Sequence, residues 1–198
     1  MKKNKALNRV LFSILNSCFF IISLNSCKDP SLAKEFEFSC NSTTNLQSLD
    51  KQVDTRKSFE ITIPSFWKKE FYIDNTTSRF YCADTLKELQ DTYLLDIAHY
   101  NEKLPGASLL KNKAKTAVFK RPEGKIVSEK EFLFKDKKTY YLYSTHAENE
   151  IETHRFELYM ANKNNSFYRV TVDVFGNSQI EERVCEAMSL VDNCTFHY

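Results

Sequence analysis

"YRVTVDV", Tyr168 to Val174, alternates without a break. Tyr168, Val170, Val172 and Val174 fall on one side of an extended chain, Arg169, Thr171 and Asp173 on the other, because successive strand side chains point to opposite faces. A period of two in a stretch rich in β-branched residues predicts a strand with one face in a core and one in solvent. With its flanking aromatics the strand covers Phe167–Phe175. Working back, "FELYM" places Phe156, Leu158 and Met160 inward within a strand over Glu152–Ala161. Earlier strand-like runs are Thr116–Arg121, Lys125–Phe134 and Thr139–Thr145. The turn signals between them are Glu123-Gly124, Asp136-Lys137-Lys138, Glu148-Asn149-Glu150 and residues 162–166. Short polar connections between alternating runs predict an antiparallel meander.

Upstream, "SFEITIP" (58–64) sets Phe59, Ile61 and Ile63 on one face, and Pro64 stops it. "EFYIDNTTSRFYCA" (70–83) reads as a hairpin turning at residues 75–78. Thr85 and Glu88 have the spacing of a capping box, and Leu86, Leu89, Tyr93, Ile97, Tyr100 and Leu104 recur at steps of three and four. That pattern predicts a helix ended by Pro105-Gly106. A second helix is expected from Ser178, with Glu181 three residues on and Ile180, Val184, Met188 and Val191 facing inward. "CTFHY" (194–198) closes as a short strand. The expected class is α+β, a central, mainly antiparallel sheet covered by two helices.

This order and these phrases resemble the PsbP/Mog1-like fold, an α/β/α sandwich. The pieces that carry the resemblance are "FEITIPSFW" (59–67), the middle helix from Thr85, the long meander and "EERVCEAMSLVDNCTF" (181–196). The resemblance covers about residues 58–198 and implies a single domain there. Members of that fold are mostly accessory or binding proteins, so it implies a non-catalytic role. It transfers no binding residue, since no position here matches one.

The N-terminal stretch speaks to location. Lys2, Lys3, Lys5 and Arg9 precede a mostly apolar run from Val10 to Leu24. That is the pattern of a secretory signal peptide, and the run is shorter than the roughly 20 residues of a spanning helix. Leu24-Asn25-Ser26-Cys27 resembles the bacterial lipoprotein lipobox. The resemblance implies cleavage after residue 26 and lipidation of the Cys27 thiol. Acyl chains at about 0.8 kcal/mol per buried methylene would then hold the protein to a membrane. Lys28-Asp29 resembles the short charged signals of some Bacteroidota surface lipoproteins. The expected organisation is a signal peptide over 1–26, lipidated Cys27 and a polar tether over 27–57, and one domain over 58–198. Within the tether, Glu35-Phe36-Glu37-Phe38 reads as a short strand that brings Cys40 against the body.

Residues 1–26 hold four of the 28 Lys and Arg and no acid, so the remainder carries 24 basic groups against 26 acidic ones, near −2 rather than +2. A surface of that balance gives no electrostatic case for nucleic acid. Besides Cys27, Cys40, Cys82, Cys185 and Cys194 remain outside the leader. An even count in an exported chain points to disulfides among these four, with three connectivities open. No C-x-x-C pair favours a metal instead.

The chain has three glycines and no phosphate loop, no G-x-S-x-G, no H-E-x-x-H and no EF-hand loop. No catalytic residue, cofactor or metal is therefore assigned. His146 and His154 flank a hairpin turn near Glu148, Glu150 and Glu152 and read first as a solvated tip, with a weak metal site as the sharper alternative. His99 is expected at the surface. Asp84-Thr85-Leu86 resembles an O-glycosylation acceptor, but a helix cap at Thr85 explains it with less. Tyr140, Tyr141, Tyr143, Tyr159 and Tyr168 are read as packed pairs before recognition residues. The expectation is a monomeric, membrane-anchored envelope lipoprotein that binds another envelope component, most readily at an outer membrane. The alternatives are an envelope hydrolase without a recognisable motif and an immunity-type lipoprotein that neutralises a toxin.

Overall fold

A computed structural model describes residues 32–38, 40, 48–163 and 165–197. The leader, Cys27 and the residues just after it lie outside them. The elements run α1 (Leu32–Glu35), β1 (Leu49–Val53), β2 (Phe59–Pro64), β3 (Lys68–Ile73), β4 (Thr77–Ala83), a 3-10 turn (Leu89–Asp91) and β5 (Tyr93–Tyr100). They continue with α2 (Ala107–Phe119), β6 (Lys125–Phe134), β7 (Lys137–Glu148), β8 (Ile151–Ala161), β9 (Phe167–Phe175), α3 (Ile180–Asp192) and β10 (Thr195–Phe196). Seven strands form one antiparallel sheet in the order β3-β4-β5-β9-β8-β7-β6, and β1-β2-β10 form a second, smaller one. The α+β class holds. No helix among the described residues is long and apolar enough to cross a membrane.

The large sheet has two unlike faces. On one, Phe156, Leu158, Met160, Tyr168, Val170, Val172 and Val174 pack against Phe59, Ile61 and Ile63 of β2 and Val184, Met188 and Val191 of α3. Tyr168 is fully buried, and its hydroxyl donates to the carbonyls of Ser58 (2.8 Å) and His197 (2.5 Å), tying β9 to the small sheet. On the other face, α2 sets Leu110, Ala114 and Val118 against Tyr140 and Leu142 of β7. Those three helix residues sit four apart and so share one stripe.

Arg183 of α3 is buried among backbone rather than beside a carboxylate. Its Nη1 donates to the carbonyls of Gln90 (3.0 Å), Thr92 (3.0 Å) and Phe175 (2.5 Å), and so staples α3 to the start of β5 and the end of β9. Gly176, at φ +73, lets the chain turn there; a Cβ would lie 2.8 Å from the Gln90 carbonyl.

Three sequence expectations fail. The helix over residues 85–104 is instead a 3-10 turn and the central strand β5. Residues four apart share a face in a strand as well as in a helix, so Tyr93 and Ile97 fit both patterns. Pairing with β4 on one side and β9 on the other decides for the strand. Leu86 is then 80% exposed rather than buried, Thr85 caps nothing, and Asp84 Oδ1 accepts the Leu86 amide.

Pro105-Gly106 starts a helix instead of ending one. Gly106 is the N-cap of α2, whose Ala-, Leu- and Lys-rich sequence favours helix. The run Thr116–Arg121, expected as a strand, is the end of this helix and the turn after it.

The third correction concerns the tether. Leu32 and Phe36 belong to the main core, and the Leu32 amide donates to both Asp192 carboxylate oxygens at 3.1 and 2.9 Å. Glu35 ends a helical turn instead of opening a strand. β1 pairs along β2. Leu32 and Phe36 are therefore part of the packed body, ahead of the strand that opens at Phe59. A polar average over residues 28–56 conceals the two apolar side chains that anchor it.

α3 starts two residues later than its first signal. Ser178 makes no cap; its hydroxyl donates to Asp91 at 3.0 Å, and Gln179 precedes the helix in the left-handed region (φ +47).

Candidate functional site: an arginine-lined cleft

The α2 face of the sheet is only part covered. The helix lies over β6 and β7, and the outward residues of β4, β5, β8 and β9 form the floor of a cleft of about 410 Å³ beside it. Strand register lines the floor up: Arg79 opposes Ala98, Tyr81 opposes Asp96, Asp96 opposes Thr171, Glu157 opposes Thr171, and Arg155 opposes Asp173. Arg121 enters from the turn that follows α2, and Lys113 from the helix itself.

Two carboxylates on this floor are saturated by arginine. Arg79 donates from Nε and Nη2 to the two Asp96 oxygens at 2.8 and 2.6 Å. Arg155 donates in the same fork to Asp173 at 2.5 Å each. Such bidentate pairs are the strong, orienting kind. Asp96 raises the Arg79 pKa, chiefly through these hydrogen bonds. Burial works to lower that of Arg155, and the Asp173 hydrogen bonds together with the charges of Asp173, Glu157 and Asp96 raise it on balance.

The remaining charges are not matched. Arg169 reaches Asp96 only at 3.5 Å, and its Nε is buried without a partner among the described residues. Arg121 Nη1 is likewise buried and unpartnered. Burial pushes the Arg121 pKa down, and the neighbouring Arg155 charge pushes the same way. Glu157 is 5% exposed; its Oε1 accepts from the Tyr159 hydroxyl at 3.1 Å, and its Oε2 has no partner among the described residues. With Lys113 the lining holds five cations against three carboxylates. Leu94, Pro105, Leu110, Ala114, Ala117 and Phe167 supply apolar wall.

Of the residues singled out in the sequence, Tyr159 lines this cleft, and the cysteines and histidines do not. Cys40 and Cys185 form a disulfide with Cα atoms 5.6 Å apart, while Cys82 and Cys194 are buried free thiols. His146 opposes Thr153 and His154 opposes Thr145, so the two histidines project from opposite faces of the sheet. This register removes them as joint metal ligands. No group of three or more metal-ligating side chains occurs among the described residues. His154 is buried, with Nδ1 2.8 Å from the Tyr143 hydroxyl, while Glu148, Asn149 and Glu150 at the tip itself are exposed as expected. His99 is half-buried against Tyr168 at 4.8 Å between ring centroids, not at the surface. The tyrosines pack: Tyr140 stacks near Tyr159 at 6.3 Å, and Tyr143 on Phe156 at 4.3 Å.

The cleft residues were missed because Arg169, Thr171 and Asp173 read as a solvated outer face. Thr171 and Asp173 are each 5% exposed. The usable signal was charge in central strands: Asp96 between Leu95 and Ile97, and Arg155 and Glu157 around Phe156.

No family model and no curated protein matches the chain. Among solved structures, cyanobacterial PsbP (CyanoP) from Synechocystis sp. PCC 6803 is similar over 80% of this chain and 98% of its own, at 13% identity and a TM-score of 0.54. The fold is PsbP-like. A chain from Bacteroides thetaiotaomicron VPI-5482 is similar at 11% identity and a TM-score of 0.50, over 76% of this chain and 49% of its own, so the protein spans about half of it. At such identities the likeness concerns the PsbP-like fold and not the cleft, whose residues are argued from this chain alone.

Proposed function

We propose that the protein is a lipid-tethered cell-envelope protein whose PsbP-like domain binds another envelope component without transforming it, with the α2 cleft as its binding surface. The observation that carries this reading is the state of two of the cleft's three acids, Asp96 and Asp173. Asp96 and Asp173 are each held by both arms of an arginine, which suits a charged, pre-shaped surface and ill suits a general acid or base. The export pattern ahead of Cys27 and the Cys40–Cys185 disulfide both favour a compartment outside the reducing cytosol.

The test is crosslinking in living cells followed by pull-down of the tagged full chain, with Cys27→Ser as control. A specific envelope component enriched with the wild type and lost with the control supports the reading. Wild-type protein whose intact mass lacks acyl chains on Cys27 overturns the tether.

A further inference from the structure

Burying an ionised group without a partner is costly, so a cleft with unmet donors and an unmet acceptor favours a ligand that supplies both. The surplus here is cationic. Once Asp173 is taken by Arg155 and Asp96 by Arg79, with Arg169 sharing Asp96 at 3.5 Å through one nitrogen, the cleft is left with Arg121, Lys113 and the Nε of Arg169 facing one acid, Glu157. The unpartnered atoms are of both kinds: guanidinium N–H groups on Arg121 and Arg169, and a carboxylate oxygen on Glu157. A planar two-oxygen anion matches the first kind. An O–H or N–H on the same molecule matches the second. The aliphatic wall along α2 and Phe167 suits an apolar body, and about 410 Å³ lies within the range of small-molecule sites.

Resting on the binding role argued above, we propose that the α2 cleft is a site for a small organic anion. Arg121 and Arg169 hold its carboxylate, Glu157 accepts a hydrogen bond from a neighbouring hydroxyl or amine, and an aromatic or aliphatic body lies against α2. Arg79 and Arg155 shape the floor and do not bind, because their forks are already engaged.

Calorimetric titration of the full chain in non-ionic detergent, with detergent alone as blank, tests this with three probes. 3-Phenyllactate carries charge, donor and ring; 3-phenylpropionate lacks the hydroxyl; 3-phenyl-1-propanol lacks the charge. The expected order is phenyllactate, then phenylpropionate, then the alcohol, with about a tenfold gap between first and last. Arg121→Gln is expected to weaken phenyllactate about tenfold. Lys113→Gln, at an exposed position that cannot upset folding, is expected to weaken it about twofold in low salt. Equal binding of the alcohol, no heat with any probe, or capture of phosphatidylglycerol vesicles with no response to the soluble anions would each overturn the site. Those failures leave the tethered binding role standing. Mass spectrometry of the recovered phenyllactate separates the two claims: a converted ligand would overturn the non-catalytic reading and keep the site.

Discussion

Arg155 grips Asp173 with both arms of its guanidinium, 2.5 Å to each oxygen, across adjacent strands β8 and β9. Asp173 is 5% exposed, so the arginine supplies its charge partner in place of water. Removing one member of such a pair strands the other. Arg155→Gln is expected to destabilise the fold by about 3 kcal/mol. The double change Arg155→Met with Asp173→Leu is expected to recover most of that loss, since apolar pairs of similar volume replace buried ion pairs at little cost. Urea unfolding of the two variants beside the wild type measures both. A single variant as stable as wild type would mean that water already serves Asp173.

Arg121 is the contrasting case. It lines the same cleft but has no carboxylate within ion-pairing distance among the described residues, and burial works against its charge. Arg121→Gln is expected to leave the thermal midpoint unchanged or raise it by a few degrees. Scanning calorimetry of the ligand-free protein checks this. A marked drop would assign Arg121 a structural role.

Residues 40 and 185 are 145 positions apart, so their disulfide closes nearly the whole domain into one loop. Chain-entropy reasoning puts its contribution at about 2–5 kcal/mol. Unfolding midpoints with and without reductant should differ accordingly. Cys82 and Cys194 are buried, and burial raises both thiol pKa values. Alkylation should therefore spare both in the native state and reach both on unfolding, with Cys40 and Cys185 added only after reduction. Labelling of Cys82 or Cys194 in the native protein would contradict the core packing.

Three histidines set the response to mild acid. Burial lowers the pKa of His99, of His146 and of His154; Arg121 also lowers that of His146, and Glu152 partly opposes the shift at His154. Folded-state values below the ordinary 6.5 mean that the unfolded chain takes up these protons first. Stability is then full above about pH 6.5 and declines as pH falls through the window beneath it. The carboxylates held low by neighbours, such as Glu129 beside Lys115, act only at lower pH. His154→Gln should flatten the decline between about pH 6.5 and 5 in urea titrations. An unchanged slope would clear His154 of that role.

Much of the meander was legible. Lys125–Phe134 and Phe167–Phe175 are strands with the bounds read from the sequence, and in Phe167–Phe175 the alternation of apolar and polar residues marks the strand even though both its faces are covered. The middle of the chain was not. Tyr93 and Ile97 satisfy helical and extended spacing alike, and only the partner strands β4 and β9 choose between them. Pro105-Gly106 punctuates either the end of one helix or the start of the next. Misplacing α2 hid the cleft as well, since nothing then stood beside Arg169 and Asp173 to shelter them. A charged outer face reads the same whether water or a helix borders it.

The Cys40–Cys185 bridge also decides where a mechanical load would travel. A pull arriving from the N-terminal side passes through α1, crosses the sulfur–sulfur bond and enters α3 directly. Every strand from β1 to β9 lies inside the covalent ring and carries none of that tension. For a load between the two chain ends, the sheet that shapes the cleft is thereby kept out of the covalent path, which runs through α1, the later part of α3 and β10.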